Sequence, residues 1–372
     1  MRLRDHGLTI GTGQPGPGNA ITDVAGVGVG HTTLIAGSAV RTGVTVVLPR
    51  PGYVRDQPLF AGACTFNGNG ELTGLEWVRE SGLLTTPIAI TNTHSVGVVR
   101  DALVAHDAAR MAGRLCWSMP TVGETYDGIL NDVNAQHVTA AHVDAALAAA
   151  GAAGAASPVE EGSVGGGTGM ICHEFKGGIG TASRIAGEWT VGVLVQANHG
   201  LRRDLRLDGL PVGRWLTTER VPTPSVSRTM PLGSGSIIII VATDAPLLPD
   251  QCRRLAARAT IGMARAGGGT SDSSGDIFLA FSTGNTGIAA ETYQRGGPVT
   301  ASISMVNHQY LGPLFDAAAE ATEEAIWNAM MQAGTMVGRD GVTAHGLEPD
   351  LLFEAIDAVT AQLHRTKGAP SH

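Results

Sequence analysis

Two periods of apolar residues organise the chain. Short runs rich in β-branched residues and bounded by Gly or Pro predict strands at 44–48, 87–91 and 276–282, and the alternation over 190–196 predicts another. The run from Ser236 to Val241, with four consecutive isoleucines, is apolar on both faces and reads as a fully buried strand. Helical spacing predicts a helix from Val96 to about Ala112, with Ser95 as its N-cap and Gly113 as its stop. Further helices are expected at 139–150, from Pro249 to about Gly267, at 312–334 and at 350–363. The last carries Leu351, Leu352, Ala355, Ile356, Val359 and Leu363 on one face. The small residues of 151–158 read as a surface connection.

Strands grouped with helices between and after them give a mixed α/β class without strict βαβ alternation or an internal repeat. Sheets covered by helices in a layered sandwich fit this order, within a single domain spanning 1–372. Composition adds that the chain is 43% hydrophobic and only 16% charged, which suits a globular enzyme. Its 52 glycines are about twice the usual share and cluster in loops, without a collagen period. A net charge of −8 and no Lys/Arg run exclude nucleic acid as the expected partner. No apolar run reaches membrane-spanning length and the N-terminal residues lack a signal-peptide pattern, so a cytoplasmic protein is expected. Cys64, Cys116, Cys172 and Cys252 show no CxxC spacing and read as free thiols.

No GxSxG elbow, Walker loop or HExxH is present, and the twelve histidines show no metal-ligand spacing, so no metal or other cofactor is expected. The Gly165-Gly166-Gly167 run lacks the lysine of a phosphate loop and reads as a turn. The most informative feature is Gly233-Ser234-Gly235-Ser236 running directly into the buried strand. One reading is a flexible turn. The other is a nucleophile at the mouth of a strand, flanked by glycines that permit a reactive backbone geometry. Attack of Ser236 on the Gly235 carbonyl, followed by hydrolysis, would free an α-amine with a pKa of roughly 7.7–8.0, suited to a general base. One residue then carries both nucleophile and base.

The segment Gly235-Ser236-Ile237-Ile238-Ile239, continued by Ala242-Thr243-Asp244-Ala245-Pro246-Leu247, resembles the processing site of the L-aminopeptidase/D-alanine esterase-amidase and β-peptidyl aminopeptidase family. Five further segments follow the same family in order. They are Asn19-Ala20-Ile21-Thr22-Asp23-Val24, Arg41-Thr42-Gly43-Val44-Thr45, Glu124-Thr125-Tyr126-Asp127-Gly128, Gln196-Ala197-Asn198, and the run from Ser274 to Thr283.

The resemblance implies a four-layer α-β-β-α sandwich, similar in layering to N-terminal-nucleophile hydrolases but differently connected. It implies cleavage into residues 1–235 and 236–372, and hydrolysis of amides or esters next to an unblocked L-, D-alanyl or β-amino-acid residue. Ser236 corresponds to the nucleophile, Ser274 to the serine that holds the new α-amine, and Asp276 to the acidic residue behind it. Some relatives carry glutamate at that position, one methylene longer. Asn198 corresponds to an oxyanion-hole donor, Tyr126 to a tyrosine near the same oxyanion in the L-aminopeptidase branch, and Glu124 to the carboxylate that binds the substrate ammonium. Relatives assemble as oligomers, commonly tetramers, and the same is expected here. Ornithine acetyltransferases and nylon-oligomer hydrolases share the layering, but a serine at 236 separates this chain from their threonine nucleophiles. A non-catalytic ligand-binding relative is the remaining alternative.

Overall fold

The computed structural model describes residues 1–111, 116–153, 157–224, 235–289 and 299–367; Gly113, Gly233 and Ser234 lie outside the described residues. In chain order the first part holds β1 (Gly28–Ala36), β2 (Val40–Leu48), β3 (Leu59–Gly68), α1 (Leu75–Ser81), β4 (Leu83–Leu84), β5 (Ile88–Asn92), α2 (Val96–Arg110), β6 (Thr121–Thr125) and α3 (Ala140–Ala152). Next come β7 (Ile171–Cys172), β8 (Phe175–Lys176), β9 (Gly178–Ala186) and β10 (Trp189–Asn198). The remainder holds β11 (Ser236–Thr243), α4 (Pro249–Ala266), β12 (Gly275–Ser282), α5 (Gly312–Met331), β13 (Met336–Val337), β14 (Thr343–Ala344) and α6 (Pro349–Lys367).

Two sheets face each other, one ordered β1-β2-β5-β6 and the other β4-β3-β12-β11-β10-β9. Helices α2 and α3 cover the outer face of the first, and α4 and α5 cover that of the second. The expected α-β-β-α sandwich is therefore present.

Strand β11 explains why the layers hold. Its side chains alternate between two cores, as the two-residue period of a strand requires. Ile237, Ile239 and Val241 enter the core beneath α4 and α5, whereas Ile238, Ile240 and Ala242 enter the core between the sheets beside Ile88, Ile90 and Val47. All six are fully buried, each isoleucine contributing about 1.5–3 kcal/mol of transfer free energy. A third core, with Val44, Val46, Ala89 and Val122, lies under α2 and α3.

Most expected elements appear within a few residues of their predicted bounds. Helix α4 starts at Pro249 and stops at Gly267, which caps it with φ +102°, a left-handed conformation that favours glycine. The 165–167 run is a buried 3-10 turn. Two details differ. Ser95 occupies the N-cap position of α2 but makes no side-chain cap; the Asn92 Oδ1 accepts the Ser95 N–H at 2.9 Å instead. Leu363, expected on the apolar face of α6, is 45% exposed, because the core contact of this helix is carried by Leu352, Ala355 and Val359. All four cysteines are free, Cys172 and Cys252 being buried.

Candidate active site

Strand pairing assembles the candidate residues. Ser236 opens β11; antiparallel β10 sets Asn198 opposite it, and parallel β12 sets Gly275 beside it. Parallel neighbours need a crossover, supplied here by α4. Ser274 and Asp276 flank Gly275, so Ser236, Asn198, Ser274 and Asp276 come together at one end of three adjacent strands.

Each side chain is held. The Asn198 Oδ1 accepts the Ile171 N–H at 2.8 Å, and one Nδ2 hydrogen donates to the Tyr126 carbonyl at 3.0 Å. An amide carries two such hydrogens, so the fixed Asn198 keeps one that no hydrogen bond among the described residues engages. The Ser274 hydroxyl donates to Asp276 Oδ1 at 2.5 Å. Asp276 Oδ2 is buried and has no hydrogen-bond partner among the described residues. Burial raises the Asp276 carboxyl above its usual range, with the Ser274 hydrogen bond pulling the other way.

At the chain crossing into β11, the Ser236 hydroxyl donates to the Gly235 carbonyl at 2.8 Å, and the Gly275 N–H donates to the same oxygen at 3.1 Å. Gly235 has no substitute here, since a Cβ would lie 2.3 Å from the Asn198 carbonyl oxygen.

Glu124 arrives from the opposite sheet, on β6. Its neighbour Gly123 lets the two sheets approach: a Cβ there would stand 3.2 Å from Ile238 Cγ1. A Cβ on Gly70 would lie 3.1 Å from both Glu124 Oε1 and Gly275 Cα, so this glycine lies close to both the carboxylate and the β12 end of the site. The Glu71 N–H donates to Glu124 Oε1 at 3.0 Å and the Thr93 hydroxyl to Oε2. Burial nonetheless raises its pKa, these two hydrogen bonds opposing it. Tyr126 belongs to the site through its carbonyl; its phenol lies against Gly128, where a Cβ would be 2.3 Å from the hydroxyl oxygen.

Beside Ser274 opens a cavity of about 440 Å³, bounded by Ser273, Ser274, His199, Gly200, Gly267 and Gly268. The backbone donors Ile171 and Gly275 and the Tyr126 carbonyl were not among the sequence candidates. Backbone groups have no residue-type signature, and only the register reveals them. Nor did spacing suggest a metal, whereas the fold gathers Cys172, His173 and His199 with ligand atoms within 4.8 Å of one another. The β7–β8 hairpin, folded back onto the end of β10, brings them there.

Residues 19–344 match Peptidase family S58. The chain belongs to that family. The β-peptidyl aminopeptidase BapA of Sphingosinicella microcystinivorans is 47% identical over 366 residues, covering 93% of this chain and 89% of the relative. A β-aminopeptidase from Burkholderia sp. superposes with TM-score 0.90 at 58% identity, over 96% of this chain and 99% of the other. The L-aminopeptidase D-Ala-esterase/amidase of Ochrobactrum anthropi, a variant of the Ntn hydrolase fold, gives 0.84 at 41% identity, over 98% and 99%. This family S58 member is therefore a hydrolase, a serine aminopeptidase/amidase of Ntn-like fold.

Proposed function

We propose that this S58 enzyme cuts its own Gly235–Ser236 bond and then removes N-terminal residues, preferentially β-amino acids, through an acyl-enzyme on Ser236. The observation that carries the reading is the register: Ser236 is flanked by Asn198 on one strand and by the Ser274-Gly275-Asp276 turn on the other. In processing, the Ser236 Oγ attacks the Gly235 carbonyl carbon, its proton passes to the departing amide nitrogen, and the C–N bond breaks to leave an ester. Water then hydrolyses the ester. The Gly275 N–H, already on the Gly235 oxygen, stabilises the charge that develops there.

The freed α-amine takes the Ser236 hydroxyl proton as Oγ attacks the substrate carbonyl, and returns it to the leaving amine. Ser274, fixed by Asp276, orients that amine. Asn198 donates its remaining amide hydrogen to the oxyanion. Tyr126 acts here by holding Asn198. Glu124, buried but close to the β12 end, pairs the substrate ammonium, since a buried ammonium needs a counter-charge.

The preference for β-residues rests on the higher identity to the β-aminopeptidase, 58% against 41% for the L-aminopeptidase. It displaces the lean toward the L-branch that Tyr126 alone suggests. The test is kcat/KM on matched p-nitroanilides of β-homo, L- and D-residues. The highest value is expected for the β-homo compounds; an L-residue preference of tenfold or more would reverse the assignment.

We also infer a homo-oligomer, a tetramer by analogy, with Val299, Ile303, Met305 and Tyr310 as exposed apolar residues available for an interface. Light scattering coupled to size exclusion measures this. Four free thiols fit a reducing cytoplasm.

A further inference from the structure

We propose that Cys172, His173 and His199 form a binding site for one cuprous ion, next to the oxyanion donor and separate from the peptidase chemistry. The three side chains are almost wholly buried, and their ligand atoms lie within 4.8 Å of one another. Cys172 Sγ stands 3.9 Å from His199 Nδ1. The His173 N–H donates to the His199 carbonyl at 2.7 Å, which fixes the hairpin tip against the end of β10.

The imidazoles are set up as ligands. The His173 Nδ1 lies 3.0 Å from the Leu201 carbonyl, and a carbonyl can only accept, so Nδ1 carries the proton and Nε2 keeps its lone pair. That second-shell arrangement is the one that orients metal-bound histidines. His173 Nε2 and His199 Nε2 are both buried with no hydrogen-bond partner among the described residues. His173 and Glu174 sit at φ +48° and +63°, the two positive-φ positions of the two-residue hairpin turn that joins β7 to β8.

The donor set chooses the ion. One thiolate and two imidazoles, with no carboxylate, suit a soft cation in low coordination number. Binding releases the thiol proton: Cys172 S–H and Cu⁺ give Cys172 S–Cu and H⁺. The cuprous thiolate is neutral, whereas zinc would leave a net positive charge beside the buried Lys176 amino group, which donates to the backbone carbonyls of Gly167, Met170 and Gly177. His199 also walls the cavity beside Ser274, which supplies an entry path.

The full-length protein, titrated anaerobically with Cu(I) against bicinchoninate, provides the test. One equivalent is expected to transfer to wild type, with at least a tenfold weaker competition in Cys172→Ala and none of that loss in Cys64→Ala. X-ray absorption of the loaded wild type is expected to show one sulfur and two nitrogens around copper, a readout that needs no variant to fold. Equal uptake by wild type and a folded Cys172→Ala, a sulfur-only copper environment, or stoichiometric zinc binding that copper does not displace would each overturn the proposal.

Discussion

Two buried polar regions of the six-stranded sheet are built on opposite terms. On β9, Arg184 is fully buried yet every one of its guanidinium nitrogens donates: to Glu320 Oε2 at 3.0 Å, to Glu324 Oε2 at 2.6 Å, and to the carbonyls of Ser183 and Ile10. Glu324 also receives Arg4 at 2.7 and 2.9 Å and the Asn19 amide at 2.6 Å. Burial pushes the Glu324 carboxyl up, but Arg4, Arg184 and Asn19 together hold it below its usual value. On β12, Asp276 is also buried, has Ser274 as its one partner among the described residues, keeps Oδ2 without one there, and is raised above its usual pKa by burial. A closed network stabilises one arrangement of strand and helix. An open one retains capacity to bind and to move protons, which is where function concentrates.

The sharpest way to test this contrast is to remove one residue from each region. Ser236→Ala is expected to lower turnover by roughly 10⁴-fold or more while leaving the thermal midpoint nearly unchanged. Arg184→Met should do the reverse, destabilising the fold by about 1–3 kcal/mol in urea titration because Glu324 and Glu320 each lose a buried partner while Arg4 and Asn19 still hold Glu324, with kcat/KM per folded molecule intact. A loss of kcat/KM in folded Arg184→Met would break the comparison.

Asn198→Ala probes the other strand end. It should reduce kcat by about 10²–10³-fold with KM within a few-fold, since its remaining hydrogen acts on the transition state. A smaller effect is expected for Glu124→Gln, on the order of tenfold in KM, from loss of the charge that meets the substrate ammonium. Because burial raises the Glu124 pKa, it binds a proton as pH falls through that raised value and ceases to attract an ammonium. Besides the acid limb set by protonation of the Ser236 α-amine, kcat/KM should therefore show a second limb above the ordinary carboxylate range that disappears in Glu124→Gln. Persistence of that limb would assign it to another group.

The sequence was most readable where local chemistry agrees with burial. The isoleucine run announces β11, and Pro249 with Gly267 brackets α4, because each signal acts within its own element. Strands β1, β3, β6 and β9 were not predicted: glycine interrupts them, and they become strands through partners far along the chain. Ser95 stands at the N-cap position of α2 as expected, but its hydroxyl caps nothing, and only the folded chain turns Asn92 back onto its N–H. At the site, side-chain candidates could be named from motif resemblance. The Gly275 N–H, the Ile171 N–H and the Tyr126 carbonyl could not, since they follow from register. Cys172-His173 and His199 are likewise joined only by the fold of the hairpin onto β10.

The central claim, that Ser236 cuts the chain before itself, is tested most directly by the denaturing intact mass of the purified protein beside Ser236→Ala. The account predicts two wild-type fragments meeting at Gly235/Ser236 and a single full-length chain for the variant. A wild-type chain that stays whole through long incubation at neutral pH, or a variant cut at the same bond, would contradict it.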